Sequence, residues 1–432
     1  MSDKARQYAC GLMQGGSRKN MDRMAEVVPD SKSRNLQQFI THSKWNARAV
    51  MDDVATDANT LLGHDKDAGL IIDETSFKKQ GRSSVGVARQ WLGRLGKVDN
   101  GQVAVFGVLA NNRFVTPVDT RLYLPKQWTE DSRCCDKAGI PKEFRTFKTK
   151  DELALDMVAH LRGKSLSFGW VGADGGYGKG PKFCIALEMM GERFIIDLHS
   201  DFRVFLEDPK PYIPEKPHGR GRKPSTYKTD IESLKVADVI ESVDLKKQPA
   251  IHVRGSSRGS LTVRAVKIPV YVWDGSSDKV YHWILVATQT LGQHPETKIS
   301  MSNFSAETSL KDLAYRQRQR YWVERAFQDA KGECGMADYQ VRKWGAWHHH
   351  MALVMMSMLF MLNERINQEN EYPLLSCADI EELLAKFLPR RDIDKKEVIR
   401  QMVQRHKMRQ AATESHSRKN QATISKIRIS GD

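Results

Sequence analysis

The chain has 432 residues, enough for two or three domains with a large buried core, which excludes a small stapled scaffold. Lys and Arg number 68 against 53 Asp and Glu, a net charge of +15 spread over several segments, so the first partner to consider is a polyanion. Cys10, Cys134, Cys135, Cys184, Cys334 and Cys377 show neither a CxxC pair nor zinc spacing, and no apolar run spans the roughly 20 residues a bilayer requires, so a cytoplasmic protein without a membrane partner is expected.

Residues 1–65 are polar and helix-friendly, with spaced apolar positions such as Leu36, Phe39 and Ile40 and a break at Pro29, and predict a small helical domain with a basic surface. A composition shift at AGLIIDETSF opens an α/β core over 66–198. VAVFGVLANNRFVTPVDTRLYLP supplies a hairpin turning at Asn111-Asn112, residues 150–163 an amphipathic helix, SLSFGWVGAD a buried strand, PKFCIALEMMG a helix and RFIIDL a further strand. Four prolines and the basic GRGRKPSTYK then introduce runs such as SLTVRAVKIPVYVW, read as a β-rich insertion domain over 199–305. The helical period returns over 306–370, the second part of the core, where Met351–Leu362 is a core helix, and 371–432 is a helical region with a basic tail.

Asp73 closes the run Gly69–Ile72, and a carboxylate there, in an otherwise buried strand, is costly to charge unless a cation satisfies it. Asp174 repeats the pattern after SLSFGWVGA, followed by Gly175 and Gly176, where a DNA backbone has room to approach. Asp197 and Asp201 mark another strand end. Helical spacing puts Arg320, Glu324, Gln328 and Lys331 on one face. Three carboxylates drawn together repel, whereas two Mg²⁺ or Mn²⁺ ions about 3.5 to 4 Å apart would neutralise them and clamp both oxygens of an in-line phosphoryl displacement. Arg320 and Lys331 would hold flanking phosphates.

The segment IIDETSFKKQGRSSVGVARQWLGRLGKVDNGQVAVFGVLAN resembles the first catalytic block of transposases of insertion-sequence family 701, DDE enzymes with an RNase H-like core. GADGGYG is similar to the Asp-x-x-Tyr-Gly context of their second Asp. Arg320, Glu324 and Lys331 match the pattern Tyr-x2-Arg-x3-Glu-x6-Lys of the wider group, although its Tyr position is Gln317, with Tyr315 close by. The likeness extends to YACGLMQGGSRKNMDRMAEVVP and DYQVRKWGAWHHHMAL.

The resemblance implies an RNase H-like mixed sheet flanked by helices, interrupted by the insertion. It implies catalytic and metal-binding roles for Asp73, Asp174 and Glu324 with two Mg²⁺ (or Mn²⁺) ions. It further implies a homodimer on double-stranded DNA, cutting at terminal inverted repeats and joining the 3′-hydroxyls to target DNA near the bacterial nucleoid. Related enzymes often pass through a DNA hairpin and flip a base, which makes Tyr321 or Trp322 a candidate stacking platform; packing of both against the sheet is the alternative. Arg18 and Lys19 of the N-terminal helices are expected at the end DNA. Arg220, Arg222 and Lys223 of GRGRKP suit either a minor-groove hook or a solvated loop. At most one of His348, His349 and His350 can approach DNA, because consecutive helical residues point about 100° apart. A catalytically inactive DNA-binding regulator derived from a transposase is the alternative function, against which all three acids are present.

Overall fold

A computed structural model describes residues 1–14, 16, 18–215, 223–256 and 259–429. The chain opens on four helices, α1 (Ser2–Met13), α2 (Met21–Val27), α3 (Ser33–His42) and α4 (Ala47–Leu62). The Asn20 and Asn46 side chains accept first-turn amides of α2 and α4, which sets where those helices start. Strands β1 (Gly69–Lys78), β2 (Ala88–Leu92), β3 (Lys97–Asn111) and β4 (Phe114–Leu122) follow, and Asn112 turns the β3–β4 hairpin at φ +53°, a conformation Asn tolerates. Next come α5 (Lys126–Thr129), α6 (Ser132–Ala138) and α7 (Lys150–Gly163), the last begun by a reciprocal Thr149–Glu152 capping box.

Strand β5 (Trp170–Ala173), α8 (Lys182–Met189) and β6 (Phe194–Asp197) complete the first half. A small ladder of β7 (Arg203–Val204) with β8 (Leu234–Lys235) and the helix α9 (Val236–Glu241) lead to β9 (Ala250–Ser256), β10 (Gly259–Val272), β11 (Tyr281–Thr290) and β12 (Thr297–Ser302). The remainder is helical: α10 (Leu310–Gln319), α11 (Tyr321–Gly332), α12 (Trp344–Asn367), α13 (Cys377–Phe387) and α14 (Lys395–Ile429).

Ten strands form one mixed sheet in the order β2-β3-β1-β5-β6-β12-β11-β10-β9, with β4 also on β3. β1 is antiparallel to β3 and parallel to β5, and β5 is parallel to β6. The segment expected as a separate β-rich insertion instead extends this sheet, because β12 pairs with β6 and carries β11, β10 and β9 outward. The physical reason lies in β11, whose Trp283–Thr288 run is buried throughout and so needs cover on both faces.

The sheet separates two cores. On one face, Ile71, Phe106 and Val286 pack with α12 residues Trp347, Met351 and Met355, and with Tyr8, Leu12, Leu36 and Ile40 of the first helices. On the other, Leu70, Ile72, Val171 and Ile196 pack against Met157 and Val158 of α7 and Leu187 of α8. Residues 1–65 therefore share the main core and do not stand apart as their own domain. The Met351–Leu362 run lies in α12, mostly buried, as its apolar composition requires. Among the described residues no helix is long and apolar enough to cross a membrane.

Candidate active site

Strand register builds the site. The parallel pairs Ile72 with Ala173 and Ala173 with Ile196 put Asp73, Asp174 and Asp197 side by side on three neighbouring strands. Asp197 ends β6 and Asp174 directly follows β5, whereas Asp73, expected at a strand end, lies in the middle of β1, which runs on to Lys78. Side chains alternate along a strand, so all three lie on the face of Ile71 and Ile195. Adjacent strands run roughly 5 Å apart, which sets the spacing of the row. Asp73 is buried, and its Oδ1 accepts the Glu74 amide at 2.7 Å. Asp174 opens a tight turn in which the Gly176 amide donates to its Oδ1 at 2.9 Å. Beside the row, a Cβ at Gly178 would lie 2.1 Å from the Asp197 carbonyl oxygen, so this close approach serves the protein's own packing.

Arg320 stands against this row at the junction of α10 and α11. Its guanidinium donates to Asp197 Oδ2 at 3.1 Å and Asp73 Oδ2 at 3.4 Å, and pairs with Glu324 Oε1 at 3.2 Å. Behind it, Ser300 Oγ donates to Asp197 Oδ1 at 2.6 Å and Gln317 Nε2 donates to Ser300 Oγ at 2.8 Å. Gln317 is buried and also takes the Thr288 hydroxyl, so the residue at the Tyr position of the pattern works inside the protein, while Tyr315 bonds Asn112 at the β3–β4 turn. Sequence had marked Asp197 only as another strand-end acid; the pairing of β6 with β5 and the Arg320 contact give it its place.

Burial, and next the charge of Asp174, push the Asp73 carboxyl up to about 7. Burial also raises Asp197, against the opposing pull of Ser300 and Arg320. Although its own burial disfavours charge, Arg320 is held above its usual value by Asp197, Asp73 and Glu324. Burial, followed by the charges of Glu74 and Asp174, lifts the Tyr177 phenol well above its ordinary value; its hydroxyl has no hydrogen-bond partner among the described residues. Burial thus disfavours the charged forms of Asp73 and Asp197, and Arg320 is the guanidinium that opposes it at both. Among the described residues no three His, Cys, Asp or Glu side chains converge on a point where they could hold one ion, and the Arg320 guanidinium lies among the carboxylates.

Glu324 is carried by α11, its side chain 59% exposed, at the rim of the row. Lys331, two turns on, donates to Thr75 Oγ1 at 2.5 Å on the same face of β1 as Asp73. Tyr321 is exposed and Trp322 half-buried, both beside Arg254, whose guanidinium carbon lies 4.1 Å from the Tyr321 ring centroid and 4.9 Å from that of Trp322. The expected hook falls mostly outside the described residues: Arg220 and Arg222 lie there, and Lys223 is exposed.

Arg18 is exposed, but Lys19 is not the surface contact expected of it. It is buried, and its ammonium donates to the Glu333 carbonyl at 2.6 Å and Glu381 Oε1 at 2.7 Å, tying the N-terminal segment to α13 and the end of α11. The histidines are likewise structural. His349 stacks on Trp45 with ring centroids 4.0 Å apart, His350 bonds the Tyr8 hydroxyl, and His348 bonds the Trp344 carbonyl.

The site is thus a row of acids side by side on adjacent strands of a mixed sheet, with a further acid on a flanking helix. The chain belongs to the DDE superfamily endonucleases, whose family model matches residues 1–259, a span that contains Asp73 and Asp174 and ends before Glu324. Among similar proteins is the probable transposase for insertion sequence element IS701 of Microchaete diplosiphon, 29% identical over 197 residues, which cover 45% of this chain and 48% of that relative. The match thus spans about half the length of the relative.

Proposed function

We propose that this protein is a transposase of an insertion sequence, with an RNase H-like core, that binds double-stranded DNA at terminal inverted repeats, cuts the element ends and joins the 3′-hydroxyls to target DNA. The supporting observation is the pair Asp73 and Asp174 side by side on adjacent parallel strands, with Glu324 joined to Asp73 through Arg320. The donor set suits hard divalent cations, Mg²⁺ or Mn²⁺, since it is all carboxylate oxygen and burial disfavours the charged form of Asp73, which a bound cation would favour. Asp73 and Asp174 would hold the ions, and the exposed Glu324 would complete the set by turning from Arg320. Two bound ions would supply charge neutralisation at the attacking and leaving oxygens.

The chain's own residues do the rest. Arg320, once Glu324 has turned away, keeps Asp197 as its anchor and points its free N–H groups at a non-bridging phosphate oxygen. Lys331, seated on Thr75, lies along the same face to hold a flanking phosphate. In the first step water attacks phosphorus and the P–O3′ bond breaks, leaving a 3′-hydroxyl; in the second that hydroxyl attacks a target phosphodiester, and the broken bond there leaves a new 3′ end. Tyr321 and Trp322 form an aromatic ledge next to Glu324 that can take a base face. A homodimer places one such site on each element end.

The reading is tested on a duplex carrying the DNA that flanks the gene. Asp73→Asn, Asp174→Asn and Glu324→Gln should each abolish Mg²⁺-dependent cleavage while a gel-shifted complex persists. Full cleavage by the Asp73→Asn protein would reject the assignment.

A further inference from the structure

A cleft of about 1160 Å³ runs between α2 and α3 on one side and the segments 78–84 and 337–343 on the other. It starts where β1 ends, and β1 carries Asp73. Its walls present Arg18, Lys78, Arg82, Arg342 and Lys343, all exposed. The guanidinium groups of Arg18, Arg82 and Arg342 have no carboxylate partner or hydrogen bond among the described residues.

Both acids at the cleft are already used. Asp22 takes the Ser33 hydroxyl, and Asp338 takes the Lys19 amide at 2.7 Å. Lys78 is half-exposed with Asp99 3.2 Å away, and Lys343 reaches the Lys137 carbonyl at 2.8 Å. The 24-residue helix α12 starts at the cleft wall with no side-chain cap, so its first amides add positive potential. Unbalanced guanidinium groups spread along a long open cleft match a row of phosphates better than one small anion.

We propose that this cleft is a phosphate track for duplex DNA, continuous with the acid row. The idea rests on the transposase reading and extends it by placing DNA on a surface the acids themselves do not define. Lys78 closes β1 five residues from Asp73, about 17 Å along the strand at a rise near 3.3 Å. Its own side chain takes the opposite face, and Lys79 after it returns to the face of Asp73 and also lines the cleft. Duplex DNA rises about 3.4 Å per base pair, so the track meets the backbone within about five base pairs of the reacting phosphate.

The test uses the full chain and a duplex carrying the DNA that flanks the gene, with binding followed by anisotropy over a salt series. Each lost phosphate contact flattens the slope of log K against log salt by about 0.9. The Arg18→Ala/Arg82→Ala/Arg342→Ala protein should therefore lose two to three units of slope, about 10- to 100-fold in affinity at moderate salt. The corresponding triple Lys protein should keep most of the slope. On the wild-type protein, ethylating phosphates within about five base pairs of the cut should block binding, and this reading decides the matter should the alanine protein fail to fold. Wild-type affinity and slope in a folded triple-alanine protein, or no ethylation interference in that window, would overturn the track alone. Failure of the wild-type protein to bind or cut the duplex would instead overturn the transposase reading.

Discussion

The strand-borne and helix-borne acids of this site are held in opposite ways. Asp73, Asp174 and Asp197 are fixed by sheet register, and Asp73 and Asp197 are further pinned by hydrogen bonds to Glu74, Ser300 and Arg320. Glu324 sits on α11 with an exposed side chain and the Arg320 pair as its tether. The difference teaches that the sheet supplies position, whereas the helix leaves its acid room to re-aim, with Arg320 reaching both.

The contrast predicts unequal tolerance to a change of one methylene. Lengthening a register-fixed acid, Asp73→Glu or Asp174→Glu, should cost at least about 10³-fold in cleavage rate, while Glu324→Asp, whose side chain can re-aim, should cost about 10- to 100-fold. Equal losses in single-turnover cleavage would erase the distinction. Removing the anchor of the guanidinium by Asp197→Asn should lower the cleavage rate by about 10-fold with a smaller change in DNA affinity, because Arg320 then loses its orientation and keeps its charge. A change in affinity alone would show that Arg320 is only a surface for DNA.

Smaller effects sharpen the rigid half. Gly178→Ala should destabilise the fold by about 1–3 kcal/mol in urea unfolding, since its methyl meets the Asp197 carbonyl, a backbone atom that cannot yield without moving the row. Asp73→Asn should stabilise the metal-free protein in a pH-dependent way. The folded carboxyl titrates at about 7, above its usual 3.8, so the native state binds the proton more tightly than the unfolded state. Wild-type stability therefore falls as pH rises from about 4 to about 7 and stays lost above, by on the order of 4 kcal/mol at most. The melting-temperature gain of Asp73→Asn should be larger at pH 8 than at pH 5, and a pH-independent gain would contradict the burial argument.

Much of this was legible in the chain itself. Asp73 and Asp174 follow apolar runs that form buried strands, and Met351–Leu362 lies in the core helix its apolar run demands. The hairpin turns one residue later than expected, at Asn112-Arg113, because Asn111 still pairs with Phe114. What was not legible depends on long-range pairing. Strands β9–β12 carry the same alternation whether they form their own domain or extend an existing sheet, and only the β12–β6 pairing decides. The partners of Lys19 are 314 and 362 residues away, so nothing near it in sequence distinguishes a buried tie from a DNA contact. Arg320, Glu324 and Lys331 share a face as helical spacing predicts, but the helix breaks at Arg320, and its main anchor, Asp197, lies 123 residues upstream.

The proposed reaction requires Asp73, Asp174 and Glu324 to hold divalent ions jointly beside Arg320. Crystals of the full chain soaked in Mn²⁺, with anomalous scattering recorded at the manganese edge, test it most directly. The account predicts peaks about 2.0–2.3 Å from the carboxylates of Asp73 and Asp174, with Glu324 turned off Arg320 to join them. Manganese bound elsewhere, with the Arg320 pairs to Asp73 and Glu324 intact, would contradict it.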